Sequence, residues 1–94
     1  MITVGMNYHV IEGKQQDFEN KFEAVLTALR GAAGHTDSHL YRDVSDVRSY
    51  LIVSEWSEEN AFTEFIRSQA FKDVTTWGKE QILDDRPRHK IYKH

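Results

Sequence analysis

The chain has 94 residues, a formal net charge of −3 and no cysteine. This length predicts a single domain spanning residues 1–94, and the lack of cysteine excludes disulfide bonds, a thiolate nucleophile and cysteine-ligated metals. The 15 acidic and 12 basic residues are mixed along the chain, which argues against nucleic acid as the main partner.

The first half of the chain predicts a strand, a helix and a hairpin. Residues 2–10 alternate apolar and polar side chains, which is typical of a strand with one buried face. A helix is expected over 14–30, because its apolar residues recur at helical spacing. Strands are expected over 35–44 and 48–56, and the short turn between them predicts a hairpin.

The second half of the chain predicts two helices and a last strand. A short helix is expected over 58–66 and a longer one over 69–83. Ser57 and Ser68 precede them and are assigned as helix caps rather than nucleophiles. The last strand is expected over 88–93.

The resulting order, β-α-β-β-α-β, is that of the ferredoxin-like fold. We expect an α+β protein with a four-stranded antiparallel sheet and both helices on one face. The other face of the sheet needs a cover, and a second copy of the chain in a dimeric α+β barrel is the simplest one. We assign to that homodimer face the apolar side chains of the first strand: Ile2, Val4, Met6 and Tyr8.

In that arrangement the polar face of the first strand looks toward the helices and lines a ligand pocket. Asn7 is then a candidate to hydrogen-bond a substrate carbonyl or dioxygen. His9 is a candidate general base, because its unperturbed pKa lies near neutrality. The alternative for His9 is a solvated position at a frayed strand end.

Two further histidines, His35 and His39, are an even number of residues apart on the second strand. Both side chains can therefore point the same way, and His39 is another candidate base. Two imidazoles can bind a metal, but no third ligand is evident and no histidine pair has helical metal spacing. We therefore predict no metal site.

An aromatic series extends from the third strand through the second helical region. Such a series at helical spacing is most often core, and its functional interpretation is a wall for a flat polycyclic substrate. The candidate substrate-binding residues are Trp56, Phe62, Phe65, Phe71 and Trp77.

Five short stretches carry a resemblance to a known family: Gly34, Leu40-Tyr41-Arg42, Ser54-Glu55-Trp56-Ser57, Ala61-Phe62 and Ser68-Gln69-Ala70-Phe71. Over nearly its whole length the chain resembles the antibiotic biosynthesis monooxygenase (ABM) domain family of dimeric α+β barrels. This family includes cofactor-free oxygenases of quinol-like aromatics, haem-degrading enzymes and isomerases. The resemblance implies the barrel fold and a small-molecule site.

The haem-degrading branch of that family uses an asparagine, a tryptophan and an iron-ligating histidine. Asn7 matches the asparagine, whereas Phe65 stands in place of the tryptophan and Thr75 in place of the histidine. A threonine hydroxyl is a poor iron ligand compared with imidazole. The resemblance therefore implies no cofactor, with haem disfavoured by Phe65 and Thr75.

The N-terminal segment has neither the basic start nor the long apolar stretch of a secretion signal. No apolar run approaches the length needed to span a bilayer. From the sequence we expect a cytoplasmic protein with no membrane partner.

Two functions follow from these observations. The first is a cofactor-independent monooxygenase, or related small-molecule enzyme, acting on an aromatic or quinol-like substrate between sheet and helices. In this hypothesis Asn7 is the polar anchor and His9 or His39 the base. The second is a non-catalytic dimer that binds a hydrophobic ligand or haem. Phe65 and Ala70, where the family often carries histidine, favour this second function.

Overall fold

The structure, a computed structural model, describes residues 1–75, 82–84 and 87–93. Its strands and helices occur in the order β1 (Ile2–His9), α1 (Gln15–Arg30), β2 (His35–Arg42), β3 (Ser49–Trp56), α2 (Glu59–Arg67), α3 (Gln69–Val74) and β4 (Arg88–Lys93). The predicted order of elements is confirmed, with the second helical region divided into α2 and α3.

The four strands form one antiparallel sheet in the order β2-β3-β1-β4. On β1, Tyr8 is opposite Tyr50 of β3, and Val4 is opposite Ile91 of β4. Opposite residues of antiparallel strands share a face, so this register sorts the side chains of the sheet into two sets. The architecture is the predicted ferredoxin-like α+β fold.

The helices cover one face of this sheet. On α1, Phe18 contacts Tyr8 and Tyr50, with ring centroids 5.5 and 4.7 Å apart. At the end of β3, Trp56 contacts Phe62 of α2 with ring centroids 5.7 Å apart. Both helices therefore pack on the same face, as predicted, and the core lies between them and the sheet. Within the described residues, no helix is both long enough and apolar enough to cross a membrane.

The predicted orientation of β1 is wrong. Ile2, Val4 and Tyr8, expected at a subunit interface, are 5%, 0% and 3% exposed and belong to the core beneath the helices. The apolar stripe of α1 needs an apolar partner, and β1 supplies it. Because side chains alternate along a strand, burial of the apolar side chains of β1 places its polar side chains on the sheet face away from the helices. That side is called the open face below, and its β1 members are Thr3, Gly5, Asn7 and His9.

The second helical region is shorter than expected. The helix predicted over 69–83 ends at Val74, with Thr75 as its C-cap. Residues 82–84 are not helical: the Ile11 amide donates to the Ile82 carbonyl at 2.8 Å, and Leu83 forms a bridge with Val10. Trp77, predicted to line a pocket, lies outside the described residues.

The two predicted serine caps differ. Ser68 is the N-cap of α3, and its hydroxyl accepts a hydrogen bond from the Phe71 amide at 3.1 Å. The prediction for Ser57 is wrong, because α2 begins after Glu58 with no side-chain capping bond. The Ser57 amide instead donates to the Gly34 carbonyl at 2.7 Å, which ties the start of β2 to the end of β3.

Candidate functional site

The space between the sheet and the helices contains a small cavity, called the inner cavity below. Its walls come from β1, α1, β3, α2 and α3, and its volume is about 10 Å³. A space of that size holds one water molecule at most. The residues that line the inner cavity include Met6, Tyr8, Ser54, Trp56, Phe62, Phe65 and Phe71.

Aromatic rings form most of one wall of the inner cavity. Trp56 contacts Phe65 with ring centroids 5.4 Å apart, and Phe65 contacts Phe71 at 5.3 Å. Trp56 and Phe62 are fully or almost fully buried. The structure thus brings together four of the five aromatic residues that the sequence assigned to a substrate wall. Their burial shows that they also form core.

A buried hydroxyl interrupts this apolar lining. Ser54 is 2% exposed, and its Oγ accepts a hydrogen bond from Trp56 Nε1 at 3.0 Å. The Tyr8 hydroxyl also lies at the cavity, where it donates to the Met6 sulfur at 3.6 Å. Burial raises the pKa of Tyr8, so the phenol stays protonated at neutral pH. The cavity wall therefore offers polar groups that carry no charge.

His35 stands beside this wall and was not selected from the sequence as a catalytic residue. Its ring meets the edge of Trp56 with centroids 5.2 Å apart, and its Nε2 lies 2.7 Å from Ser38 Oγ. Burial lowers the pKa of His35, so the imidazole is neutral near pH 7. Ser38 is directly opposite Ser54 in the β2–β3 register. His35, Ser38, Ser54 and Trp56 thus form a polar row on the helix-covered face.

A β-bulge explains why His35 was missed. The register shifts between His35, which is opposite Trp56, and Asp37, which is opposite Glu55. The extra residue turns His35 toward the helices and leaves His39 on the open face, so the two histidines do not share a face as their even spacing allowed. The alternation of the sequence carries no signal for this insertion.

Asn7 and His39 do not reach the inner cavity. Asn7 is exposed on the open face, where it borders a shallow groove with Tyr41 and Leu51. His39 is also exposed, and its Nε2 lies 3.0 Å from Asp37 Oδ2. The expectation that Asn7 lines a pocket under the helices is wrong, because β1 has the opposite orientation. Catalytic roles for both residues stay predictions.

His9 is held between two carboxylates at the end of β1. Its Nδ1 lies 2.6 Å from Asp84 Oδ1, and its Nε2 lies 3.0 Å from Asp46 Oδ2. The hydrogen bonds to Asp84 and then to Asp46 raise the pKa of His9. Arg48 also lies 3.6 Å from Asp84. This geometry suits a cation that joins three segments of the chain better than it suits a base with a nitrogen available to substrate. The catalytic role of His9 stays a prediction.

The comparisons with known proteins agree with this fold. The model of the family described as antibiotic biosynthesis monooxygenase matches residues 1–77. A proposed heme-binding protein of Natronomonas pharaonis is 36% identical over 87 residues, which cover 93% of this chain and 14% of that protein. A similarly named protein of Haloarcula marismortui is 34% identical, with 93% and 13% covered. The chain therefore spans about one seventh of the length of these relatives.

Solved structures match over almost the full chain. A conserved protein from Methanosarcina mazei Go1 superposes with a TM-score of 0.86 at 25% identity, covering 98% of this chain and 90% of that one. SnoaB, a cofactor-independent oxygenase from Streptomyces nogalater, superposes with a TM-score of 0.84 at 18% identity, covering 99% and 91%. At that identity, the likeness to SnoaB concerns the fold alone.

Proposed function

Because this chain belongs to the antibiotic biosynthesis monooxygenase family, we propose that it is a cofactor-independent monooxygenase of an aromatic, quinol-like substrate. The substrate would lie between the sheet and the helices, at the inner cavity. The observation that carries the proposal is the polar row that begins at the buried Ser54 hydroxyl and ends at the neutral imidazole of His35. An aromatic wall with a few directed polar groups is typical of small-molecule sites.

The aromatic residues would bind the substrate ring. Trp56, Phe62 and Phe65 present ring faces and edges to the same space, which suits a planar ligand. The Ser54 hydroxyl would hydrogen-bond the substrate oxygen, since it is buried and lies at the cavity wall. These contacts would orient the reacting ring and exclude water from it.

His35 would accept the substrate proton through Ser38 and Ser54. Its lowered pKa keeps the imidazole neutral, which a general base requires. Loss of a phenolic proton makes a quinol a stronger electron donor to dioxygen; one oxygen atom then enters the substrate and the other leaves as water. His35 also borders a groove of about 560 Å³ between α1 and β2, which opens to solvent and gives the proton a route to water.

A second copy of the chain would cover the open face. At its centre, Leu51 and Val53 of β3 are half-buried beside Gly5, and Tyr41 and Tyr92 are 53% and 49% exposed at its two edges. An apolar patch surrounded by polar side chains is typical of a protein interface. The homodimer is therefore part of the proposal.

The alternative function is a non-catalytic binder of a hydrophobic ligand. The binder is favoured because none of the residues that line the inner cavity is a histidine, so a base at His35 would have to act through Ser38 and Ser54. The relatives described as heme-binding are about seven times longer than this chain, so haem binding by those proteins need not belong to the matching segment.

We propose no haem for this chain, because the described residues supply no histidine where the family resemblance places the iron ligand. None of the residues that line the inner cavity is a histidine that could ligate haem iron. Thr75, at the position where the family resemblance places the iron ligand, donates its hydroxyl to the Phe71 carbonyl at 2.6 Å.

Oxygen consumption tests the proposal. The purified protein is incubated with a panel of quinols and anthrones without added cofactor, and dioxygen uptake is followed with an electrode. We expect uptake by the wild type and a loss of about 10²- to 10⁴-fold in kcat/KM for His35→Gln, the range typical of a missing base. The acid limb of the wild-type pH profile should lie below pH 6.5, since the pKa of His35 is lowered from that value.

The comparison variant is His39→Gln, which removes the exposed histidine of the same strand. It should keep wild-type kcat/KM; a loss equal to that of His35→Gln would return the sequence-based candidate His39 to the site. If the wild type consumes no dioxygen but binds the same compounds, the monooxygenase proposal is contradicted and the non-catalytic ligand-binding function is supported. A stable Soret band after addition of haem would contradict the cofactor-free proposal.

A further inference from the structure

A second concave surface lies outside the inner cavity and shares one wall with it. This outer groove has a volume of about 280 Å³ and lies between the C-terminal end of α1, the turn that follows it, and α2. Most of its walls are small side chains, including Ala28, Ala32, Ala61 and Ala70. Phe65 is the residue that appears in the linings of both the outer groove and the inner cavity.

The ring of Phe65 is thus the partition between the two spaces. It is 7% exposed and is held on the cavity side by contacts with Trp56 and Phe71 at 5.4 and 5.3 Å. On the groove side its neighbours are alanines, a glycine, Ser68 and Glu64, which leave room for a rotated ring. A change of the Phe65 side-chain rotamer is the smallest movement that would join the two spaces, since it leaves the helical backbone unchanged.

The backbone next to Phe65 has its own break. Ser68 separates α2 from α3 with an extended conformation, φ −74° and ψ 155°. Its hydroxyl donates to the Phe65 carbonyl at 2.6 Å and accepts from the Phe71 amide at 3.1 Å. One hydroxyl therefore joins the two aromatic residues that meet at the partition, at a point where the helical hydrogen-bond ladder is interrupted.

The inner cavity requires such an opening. Its volume of about 10 Å³ admits one water molecule, whereas an apolar cavity that binds benzene has about 150 Å³. The outer groove is much larger and adjoins it through one ring. A ligand seated in the groove would reach the cavity space when that ring moves.

We propose that the outer groove is the entrance for an uncharged, planar aromatic ligand and that Phe65 is the gate between this entrance and the inner cavity. The ligand class follows from the lining. The groove wall carries small apolar side chains for a flat ring, and its charged member is the carboxylate of Glu64, which repels anions. The inference deepens the proposed function, on which it rests for the use of the cavity as a ligand site.

The test measures how fast a probe enters. The neutral fluorophore 1-aminoanthracene is mixed with the protein in a stopped-flow instrument, and the association rate constant is compared among variants that keep the wild-type circular dichroism spectrum. Phe65→Leu should raise this constant by about tenfold or more, because the gate is smaller. The matched control is Phe22→Leu, which removes an equally buried ring that borders neither the outer groove nor the inner cavity. It should bind at the wild-type rate.

A blocking variant tests the route independently of core stability. Ala33 is exposed at the rim of the outer groove, so Ala33→Trp should slow association by about fivefold or more while the fold is kept. Glu64→Gln should allow the anionic fluorophore 1-anilinonaphthalene-8-sulfonate to bind more tightly, whereas its effect on 1-aminoanthracene should be small.

The outcomes separate the gate from the proposed function. Equal rates for the wild type, Phe65→Leu and Ala33→Trp would overturn the gate even if quinols are oxidised. Uptake of the probe by Phe65→Leu but not by the wild type would support the role of Phe65 as a gate. If neither protein takes up the probe, the gate is overturned. If the probe associates faster with Phe65→Leu but the wild type consumes no oxygen with any quinol, the gate is supported and the proposed monooxygenase activity is contradicted.

Discussion

At the residue scale, hydrogen-bond partners and register give three histidines of this chain different properties. His35 is turned inward by a β-bulge, and burial lowers its pKa. His39, four residues later, remains exposed beside Asp37. His9 lies between Asp84 and Asp46, and its pKa is raised. The surroundings of His35 therefore favour the neutral imidazole, whereas those of His9 favour the protonated one.

The ion pairs of His9 should make folding stability depend on pH. The pKa of His9 is raised in the folded state above its ordinary value of 6.5, so the stabilisation is fully present below about pH 6.5 and is lost as the pH rises through the folded pKa. His9→Gln should lower Tm by a few degrees at about pH 5.5 and by less at about pH 9. Both effects are modest because solvent screens these partly exposed pairs.

Thermal unfolding of both proteins at the two pH values measures this difference. His89→Gln is the control, since His89 is a strand histidine that packs against the ring of Phe62 instead of between carboxylates. A loss of Tm for His9→Gln that is equal at both pH values would show that the imidazolium does not stabilise the fold.

Gly34 has two constraints that a side chain would violate. Its φ is +85°, and a Cβ at this position would lie 2.5 Å from Ala61 Cβ and 2.9 Å from Ser57 Oγ. Gly34→Ala should lower the free energy of unfolding by about 2–4 kcal/mol, from backbone strain and from the displacement of α2. Urea unfolding of the wild type and of Gly34→Ala measures this difference in the free energy of unfolding.

Gly13→Ala is the matched control, because Gly13 has φ +89° and no atom within 4 Å of its added Cβ. It should lose only about 1 kcal/mol, the part due to the backbone. If both variants lose the same amount, the contact between Gly34 and α2 is not a constraint.

At the element scale, the break between α2 and α3 is the feature that shapes the site. A continuous helix would place Phe65 and Phe71 by helical geometry alone. Instead, Ser68 interrupts the helix and binds both residues through its hydroxyl. This break lets two short helices bring their aromatic residues to one point above the sheet, where Phe65 and Phe71 meet at 5.3 Å.

The two serines predicted as caps should respond differently to substitution. Ser68→Ala removes the bond to the Phe71 amide and should lower the free energy of unfolding by about 1 kcal/mol. Ser57→Ala should change it by less than about 0.5 kcal/mol, since the Ser57 side chain caps no helix and is exposed. Urea unfolding of the two variants decides this. A larger loss for Ser57→Ala would return it to the role of a cap.

At the scale of the whole molecule, the open face is the side of the sheet that the described helices leave uncovered. Leu51 and Val53 lie at its centre, between charged side chains on the two edge strands such as Asp37 and Lys90. The proposed second copy would bury this centre. A domain of this size buries only about 60–65% of its unfolded surface alone, so the added burial would stabilise it substantially.

A charge at the centre of the open face should dissociate the proposed dimer. Val53→Asp should give half the wild-type mass by light scattering at micromolar concentration, because an unpaired carboxylate cannot be buried in an apolar interface. Val44→Asp, at a valine that is 98% exposed in the β2–β3 turn, is the matched control and should keep the wild-type mass. A monomeric wild type would contradict the dimer directly.

The sequence alone determined the order of elements and the family. Strong periodicity placed α1 over 14–30, against Gln15–Arg30 in the structure, and β4 over 88–93, as found. Apolar side chains at helical or alternating spacing must be buried, so these patterns fix local structure with little help from distant residues. The same reasoning selected the aromatic residues that meet at the inner cavity.

Only the tertiary structure decided which way β1 faces and which histidine lies inside. An alternating strand has two faces, and its pattern does not say which of them meets the helices; here α1 needed the apolar one, which left Asn7 outside. The bulge that turns His35 inward arises from pairing between β2 and β3, and no local pattern encodes it. Local spacing therefore gave the scaffold, whereas contacts between distant segments gave the polar groups of the site.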